Sequence, residues 1–231
     1  FFSALLLTIL WTAVNIILQL CIAFLVANLL NSPLIKRQKR VYETILMFPW
    51  AMPGYVSILL WKTGMFNTQF GLLNTWVQKL GLESRRWLSS DLSAFICCTV
   101  VNLWLALPFM IMIMDGGLKS IDKCLYESAT IDGAGKTKQA MVVTIPCLKP
   151  IIWPSVVITI FTTFKTFDVI YLMVLQTGSQ TGAHIHTIIT YAYENAFITN
   201  NYGYSSAISI IIFVMLIAFS LFTNRRNKDD V

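Results

Sequence analysis

The sequence predicts an all-α, multi-pass membrane helical bundle. Of its 231 residues, 56% are hydrophobic and only 12% charged, and the mean hydropathy is +0.68, outside the balance of water-soluble domains. The apolar residues gather in five runs long enough to cross a hydrocarbon core as helices, which takes about 17 to 25 residues. None alternates apolar and polar positions as a barrel strand would, and a helix satisfies its own backbone where no water reaches. The five spans are placed at Phe2 to Leu30, Thr44 to Trp61, Leu92 to Met114, Ile151 to Leu175 and Ser205 to Thr223.

The first span is uncharged but carries Asn15 and Gln19 one turn apart, a polar face for other helices. In the second, Pro49, Pro53 and Gly54 predict a kinked or broken helix, because proline lacks a backbone donor and clashes with the preceding turn. Between Gly64 and Asp91 polar and apolar residues mix. A short amphipathic helix, Leu72 to Leu80, bracketed by Gly71 and Gly81, is expected there at the outer interface. The third span is free of charge, with Asn102 and Pro108 as interruptions. The fourth carries Thr159, Thr162, Thr163, Thr166, Lys165 and Asp168, a heavy polar load for lipid. Lys165 and Asp168 are expected to pair, since an isolated intramembrane charge is costly. From Gln176 to Tyr204 an outer segment follows, with Gly178, Gly182 and Gly203 as turn signals.

Charge sets the orientation. One side of the spans holds Lys36, Arg37, Lys39, Arg40, Lys119, Lys123, Lys136, Lys138, Lys149, Arg225, Arg226 and Lys228; the other holds only Lys62, Lys79, Arg85 and Arg86. The richer side is expected in the cytoplasm, the C-terminus with it. The net charge of +6 then reflects topology rather than nucleic-acid binding. Five cysteines in spans or on that side predict neither a disulfide nor a metal centre. His184 and His186, with no acidic or Cys ligand beside them, do not suggest a metal site. The sequence opens at Phe1 inside an apolar run, without an initiating Met or a signal-peptide pattern. It is read as one transmembrane domain, 1–231, an excerpt lacking at least one earlier helix.

The charged island Leu118 to Pro150 between the third and fourth spans is too long and too ordered for an ordinary helix connection of about 2 to 8 residues. Asp122 can cap a helix from Lys123 to about Asp132, Gly133 can stop it, and Lys136 to Ile145 can form a second helix ended by Pro146. Small residues around the corner would let its backbone enter a narrow groove, and Glu127 could bond a basic partner. Gly135-Lys136-Thr137 looks like the end of a phosphate-binding loop, but Thr130 stands where its first Gly should be and no strand precedes it. Nucleotide binding by this chain is rejected.

Within the island, Glu127, Ser128 and Ala129 are followed after three residues by Gly133, and after nine more by Val143, Thr144, Ile145 and Pro146. That spacing resembles the EAA loop of ABC-importer permeases. The runs Met47 to Gly54, Leu60 to Lys62, Phe70 to Asn74, Asn102 to Trp104, Leu118 to Ile121 and Phe164 to Ile170 extend the resemblance over nearly the whole chain, toward the carbohydrate branch of maltose/maltodextrin type. It implies a type I importer fold at the cell (inner) membrane. Two permease subunits, the second a homologue, would form the pathway; two ATPases would dock on the coupling loops; an external binding protein would deliver the sugar. Glu127, Ser128, Ala129, Asp132, Gly133 and Ala134 would be the ATPase-coupling residues. ATP and Mg would belong to the ATPase, leaving this chain without a cofactor or a catalytic site of its own.

By the same resemblance, Asn102, Leu105, Ala106 and Phe109 on the third span and Thr159, Thr162, Thr163 and Thr166 on the fourth would face the sugar. Helical spacing independently gathers the four threonines into a hydroxyl stripe, with Phe161, Phe164, Phe167 and Tyr171 nearby. Sugars present both hydroxyls and an apolar face. Threonines bonding their own helix carbonyls would give the same spacing. The alternatives are the same machine importing amino acids, peptides or polyamines, which calls for charged contacts in the pathway, and an ion-coupled carrier, which calls for membrane-centred acids where only Asp168 qualifies. A membrane enzyme lacks a clustered set of His, Cys and carboxylates.

Overall fold

A computed structural model describes residues 1–32, 35, 37–175 and 183–229, with side chains described as far as 223. Lys36, Gly178, Gly182 and the side chains of Arg225, Arg226 and Lys228 lie outside this description. Among the described residues every regular element is helical: α1 Phe2–Leu30, α2 Lys39–Ala51, α3 Gly54–Leu60, α4 Leu72–Lys79, α5 Asp91–Ser120, α6 Lys123–Ile131, α7 Lys136–Gln139, α8 Ile145–Phe164, α9 Asp168–Met173, α10 Ile188–Phe197 and α11 Tyr202–Asp229. A π-helical turn, Trp61–Met65, continues α3, and another, Ala140–Thr144, joins α7 to α8. Among the described residues four helical stretches are long and apolar enough to cross a membrane, or five if α2 and α3, with the π-turn after it, bent by 94° at their break, count as one span.

The break in the second span falls at Met52, whose ψ of 144° is extended as a residue before proline must be, while Pro49 stays inside α2. Four expectations need correction. The third span does not end at Met114 but runs on to Ser120, so Asp115 and Lys119 are helical residues and the island begins inside α5. Pro146 does not stop the second island helix. It follows directly on the π-turn Ala140–Thr144, whose altered register accommodates the residue that lacks an N–H, so helix runs from Lys136 to Phe164.

The fourth span, expected to run unbroken to Leu175, is interrupted after Phe164. The Thr166 amide reaches back only to the Thr163 carbonyl and its hydroxyl bonds that of Thr162, tightening the helix end. Asp168 then opens α9, where a carboxylate complements the helix dipole. Among the described residues it makes no ion pair with Lys165.

The chain divides into two compact units, Phe1–Asn15 with Pro53–Asn102 and Ile160–Val231, and Ile16–Met52 with Leu103–Thr159. In the first, α10 packs on α11 through Ile188, Ala192, Ile208 and Ile212. The Thr8 hydroxyl accepts the Ile188 amide at 2.8 Å, pinning α10 to α1. Asn15 meets another helix as expected, through Asn102; Gln19 is fully buried, and neither end of its amide finds a partner among the described residues. The amphipathic helix forms as α4, exposing Leu72 and Trp76, while its buried Asn74 ties residues 67–87 together through the Asn67, Thr68 and Arg85 carbonyls and the Trp87 indole.

In the second unit α5 and α8 close on Gly117. A Cβ there would stand 2.7 Å from the Leu148 Cδ2 atom, so a larger residue would push the two helices apart.

Candidate functional site: coupling elbow and transport face

The island folds as a helix, a corner and a helix. The Asp122 carboxylate accepts the Cys124 amide at 3.0 Å and starts α6. At the other end the Ala134 amide reaches the Ala129 carbonyl at 2.9 Å and the Gly133 amide that of Thr130 at 3.0 Å. This pair of bonds is the Schellman closure, and it needs a left-handed residue at Gly133, whose φ is 76°. No atom outside its immediate chain neighbours lies within 4 Å of the Cβ position at Gly133, so backbone conformation rather than crowding requires the glycine.

Two side chains hold the corner shut. The Gln139 amide donates to the Thr130 hydroxyl and the Ala134 carbonyl, both at 2.9 Å, and the hydroxyls of Tyr126 and Thr144 lie 3.0 Å apart. With the backbone and these two side chains carrying the shape, the predicted coupling residues stand together and unspent. Glu127, Ser128, Asp132 and Gly133 are exposed, Ala129 and Ala134 half-buried. Among the described residues Glu127 enters no ion pair. Ile131, an apolar residue at the tip, is 87% exposed.

The predicted transport residues are arranged differently, and they divide between the two units. In the first, Asn102 is buried and donates to the Asn15 carbonyl oxygen at 2.7 Å, while Asn15 donates to the Trp11 carbonyl at 2.9 Å. Thr162 is exposed, Thr163 buried, and Thr166 half-buried with its hydroxyl on the Thr162 carbonyl at 3.0 Å. In the second unit Leu105 and Ala106 are half-buried and Phe109 exposed on α5, and the buried Thr159 donates to the Ser155 carbonyl at 2.8 Å. Spacing thus sets Asn102, Leu105, Ala106 and Phe109 on one side of α5 and Thr159, Thr162 and Thr163 on one side of α8, while Thr166 lies just past the end of α8. Thr159 and Thr166 spend their donors on α8 carbonyls one turn earlier.

The family described as "Binding-protein-dependent transport system inner membrane component" matches residues 19–227. This chain belongs to that family. It is 31% identical, over 93% of its length, to the trehalose/maltose transport system permease protein of Thermococcus litoralis, of which it spans 70%. It is 31% identical over 99% of its length to the galactooligosaccharides transport system permease protein of Bacillus subtilis, and 30% over 99% to a maltose/maltodextrin transport system permease protein of Vibrio vulnificus, spanning 55% and 45% of those proteins. Among solved structures, a chain of a bacterial ABC transporter involved in the import of alginate superposes with a TM-score of 0.85 at 23% identity, covering 99% of this chain and 79% of that one. An amino acid ABC transporter gives 0.63 at 17%, covering 99% and 92%. Both likenesses establish the fold, an all-α bundle of membrane helices.

Reading the permease from sequence missed one buried cluster. The Asp115 carboxylate, 3% exposed at the end of α5, accepts from Lys39 at 2.6 Å, Lys119 at 2.5 Å and Asn31 at 2.8 Å. Glu43 stands 3.9 Å from Lys39 and 3.7 Å from Lys119. The signal was present as two helical i,i+4 pairs, Lys39 with Glu43 and Asp115 with Lys119. The cluster ties the ends of α1 and α5 to the start of α2, just before the elbow. His186 faces Glu194 at 3.1 Å, and the His184 amide donates to Asp91.

Proposed function

We propose that this chain is the membrane permease subunit of an ATP-driven importer that carries a sugar or oligosaccharide of maltodextrin-like type. It has a homologous second permease as partner, two separate ATPases to burn ATP, and a binding protein outside to deliver the solute. The observation that carries the reading is the elbow: small residues and two exposed carboxylates, Glu127 and Asp132, without an ion pair among the described residues, held in shape by backbone bonds and by Gln139 and Tyr126, suit insertion into a partner's groove. Glu127, Ser128, Ala129, Asp132, Gly133 and Ala134 dock the ATPase, and its closure on ATP moves the elbow and switches the pathway between its two openings. The elbow lies on the cytoplasmic side with the C-terminus, as the distribution of Lys and Arg supports.

The carbohydrate substrate rests on the sugar-transport names of the relatives and on the chemistry of the transport face. Asn102, Leu105, Ala106, Phe109, Thr159, Thr162, Thr163 and Thr166 include no charge, so amino acids or polyamines would find no counter-ion among them. Hydroxyls, an amide and an aromatic ring suit an uncharged polyol. The test is substrate-stimulated ATP hydrolysis by the copurified complex, screened across oligosaccharides and amino acids. Stimulation by an oligosaccharide supports the assignment, and stimulation by amino acids alone overturns it.

A further inference from the structure

A cavity behind the elbow is used by neither set of residues above. It lies wholly in the second unit, between the ends of α1 and α5 and the starts of α6 and α7, with a volume of about 560 Å³. Sites for small molecules run from about 300 to 1,000 Å³.

Its wall mixes basic and polar side chains with Leu118, Ile121 and Ala140. Lys119, Lys123 and Lys136 line it with Asn31, Tyr126 and Gln139, and among the described residues no carboxylate lines it. Lys119 is already balanced by Asp115 and Glu43. Lys123 and Lys136, each the first residue of its helix, enter no ion pair among the described residues. Asp122, the neighbouring carboxylate in sequence, is turned to the Cys124 amide. Two uncompensated ammonium groups from two helices suit an anion with several acceptor oxygens, and lysine serves phosphate as a point charge. The cavity also begins where the apolar run of α1 ends, on the Lys- and Arg-rich side of the chain, where the phosphates of an anionic leaflet lie.

We propose that this cavity binds a phosphate-bearing anion on Lys123 and Lys136, supplied by an anionic phospholipid headgroup or by a soluble phosphate. Held between α6 and α7, the phosphate braces the base of the elbow against the ends of α1 and α5.

The test uses the whole purified complex with wild-type chain, with Lys123→Gln and Lys136→Gln together, and with Lys123→Arg and Lys136→Arg together. Each is placed in vesicles of phosphatidylcholine with and without phosphatidylglycerol. Retained lipid is read by native mass spectrometry, and binding of inorganic phosphate by equilibrium dialysis in lipid-free detergent. Each lysine removed is expected to weaken retention about five-fold, a figure set by the attraction of one basic residue to an anionic surface, with the arginine variant near wild type. Phosphatidylglycerol retained by wild type and lost from the glutamine variant identifies the headgroup as the source. Phosphate bound by wild type and lost from that variant, with no lipid preference, identifies a soluble source. If the assembled glutamine variant retains phosphatidylglycerol as wild type does, or if wild type takes up neither anion, the proposal is overturned.

Discussion

The elbow and the threonine face of α8 are built from the same kind of residue, small and polar, to opposite ends. At the elbow the backbone closes the corner through the Ala134 and Gly133 amides, and only Gln139 and Tyr126 are drawn in to hold it. Glu127, Ser128 and Asp132 are left exposed. Along α8 and just past its end the side chains join the helix's own bonding: Thr159 and Thr166 each donate to the carbonyl one turn earlier. A surface whose polar groups are unspent is ready for a partner. A surface whose donors are already used can offer a solute its acceptor lone pairs and little else, so the contrast predicts strong protein docking at the elbow and sparse, weak contacts along the transport face.

Gly133 should break the contrast most severely. Forcing a side chain into its left-handed conformation costs about 1 to 2 kcal/mol, more for a β-branched one. Gly133→Val is therefore expected to lower uptake more than about ten-fold, the factor that 1.4 kcal/mol represents, while the amount of chain in the membrane stays the same. Normal uptake by that variant would remove the elbow's special role.

Asp115→Asn comes next, because it leaves Lys39 and Lys119 facing one another without their main counter-charge. Lys119 is half exposed, which trims the cost of a broken buried pair to about 1 to 3 kcal/mol. Thermal unfolding in detergent should show the loss. An unchanged midpoint would mean that the cluster does not anchor the base of the elbow.

The smallest effects sharpen the other side of the comparison. Asn102→Ala leaves the Asn15 carbonyl oxygen without its donor, worth about 0.6 to 1.7 kcal/mol between membrane helices; Thr166→Ala should cost stability less than about 0.5 kcal/mol. Both are expected to weaken uptake with the ATPase still copurifying. Loss of assembly in Asn102→Ala would make that residue a packing bond between α1 and α5.

The elbow was legible in the sequence because its determinants are local: an N-cap at Asp122 and a left-handed glycine at Gly133 act within one turn of their own positions. The bundle was legible because apolar length is a direct reading of bilayer thickness. Where a proline ends a helix was less so. Pro146 fails to stop α8 because a π-turn precedes it, and nothing in composition announces a π-turn. The break after Phe164 was hidden for a related reason: the threonines that mark it also satisfy a helical stripe. Lys165 and Asp168 read as a pair only under the assumption of an unbroken helix, and Asp168 instead heads a new one. The Asp115 cluster was hidden by treating the end of the apolar run as the end of α5. For Asn102 and the threonines, sequence spacing fixes a side of each helix but not whether its groups are already bonded to neighbours such as Asn15.

The most direct measurement is a photoreactive amino acid placed at Ser128, and separately at Ile131, in the working complex. Capture of the ATPase subunit from both positions, with a yield that changes on ATP binding, is the predicted result. Chains that never capture it while uptake continues would contradict the account.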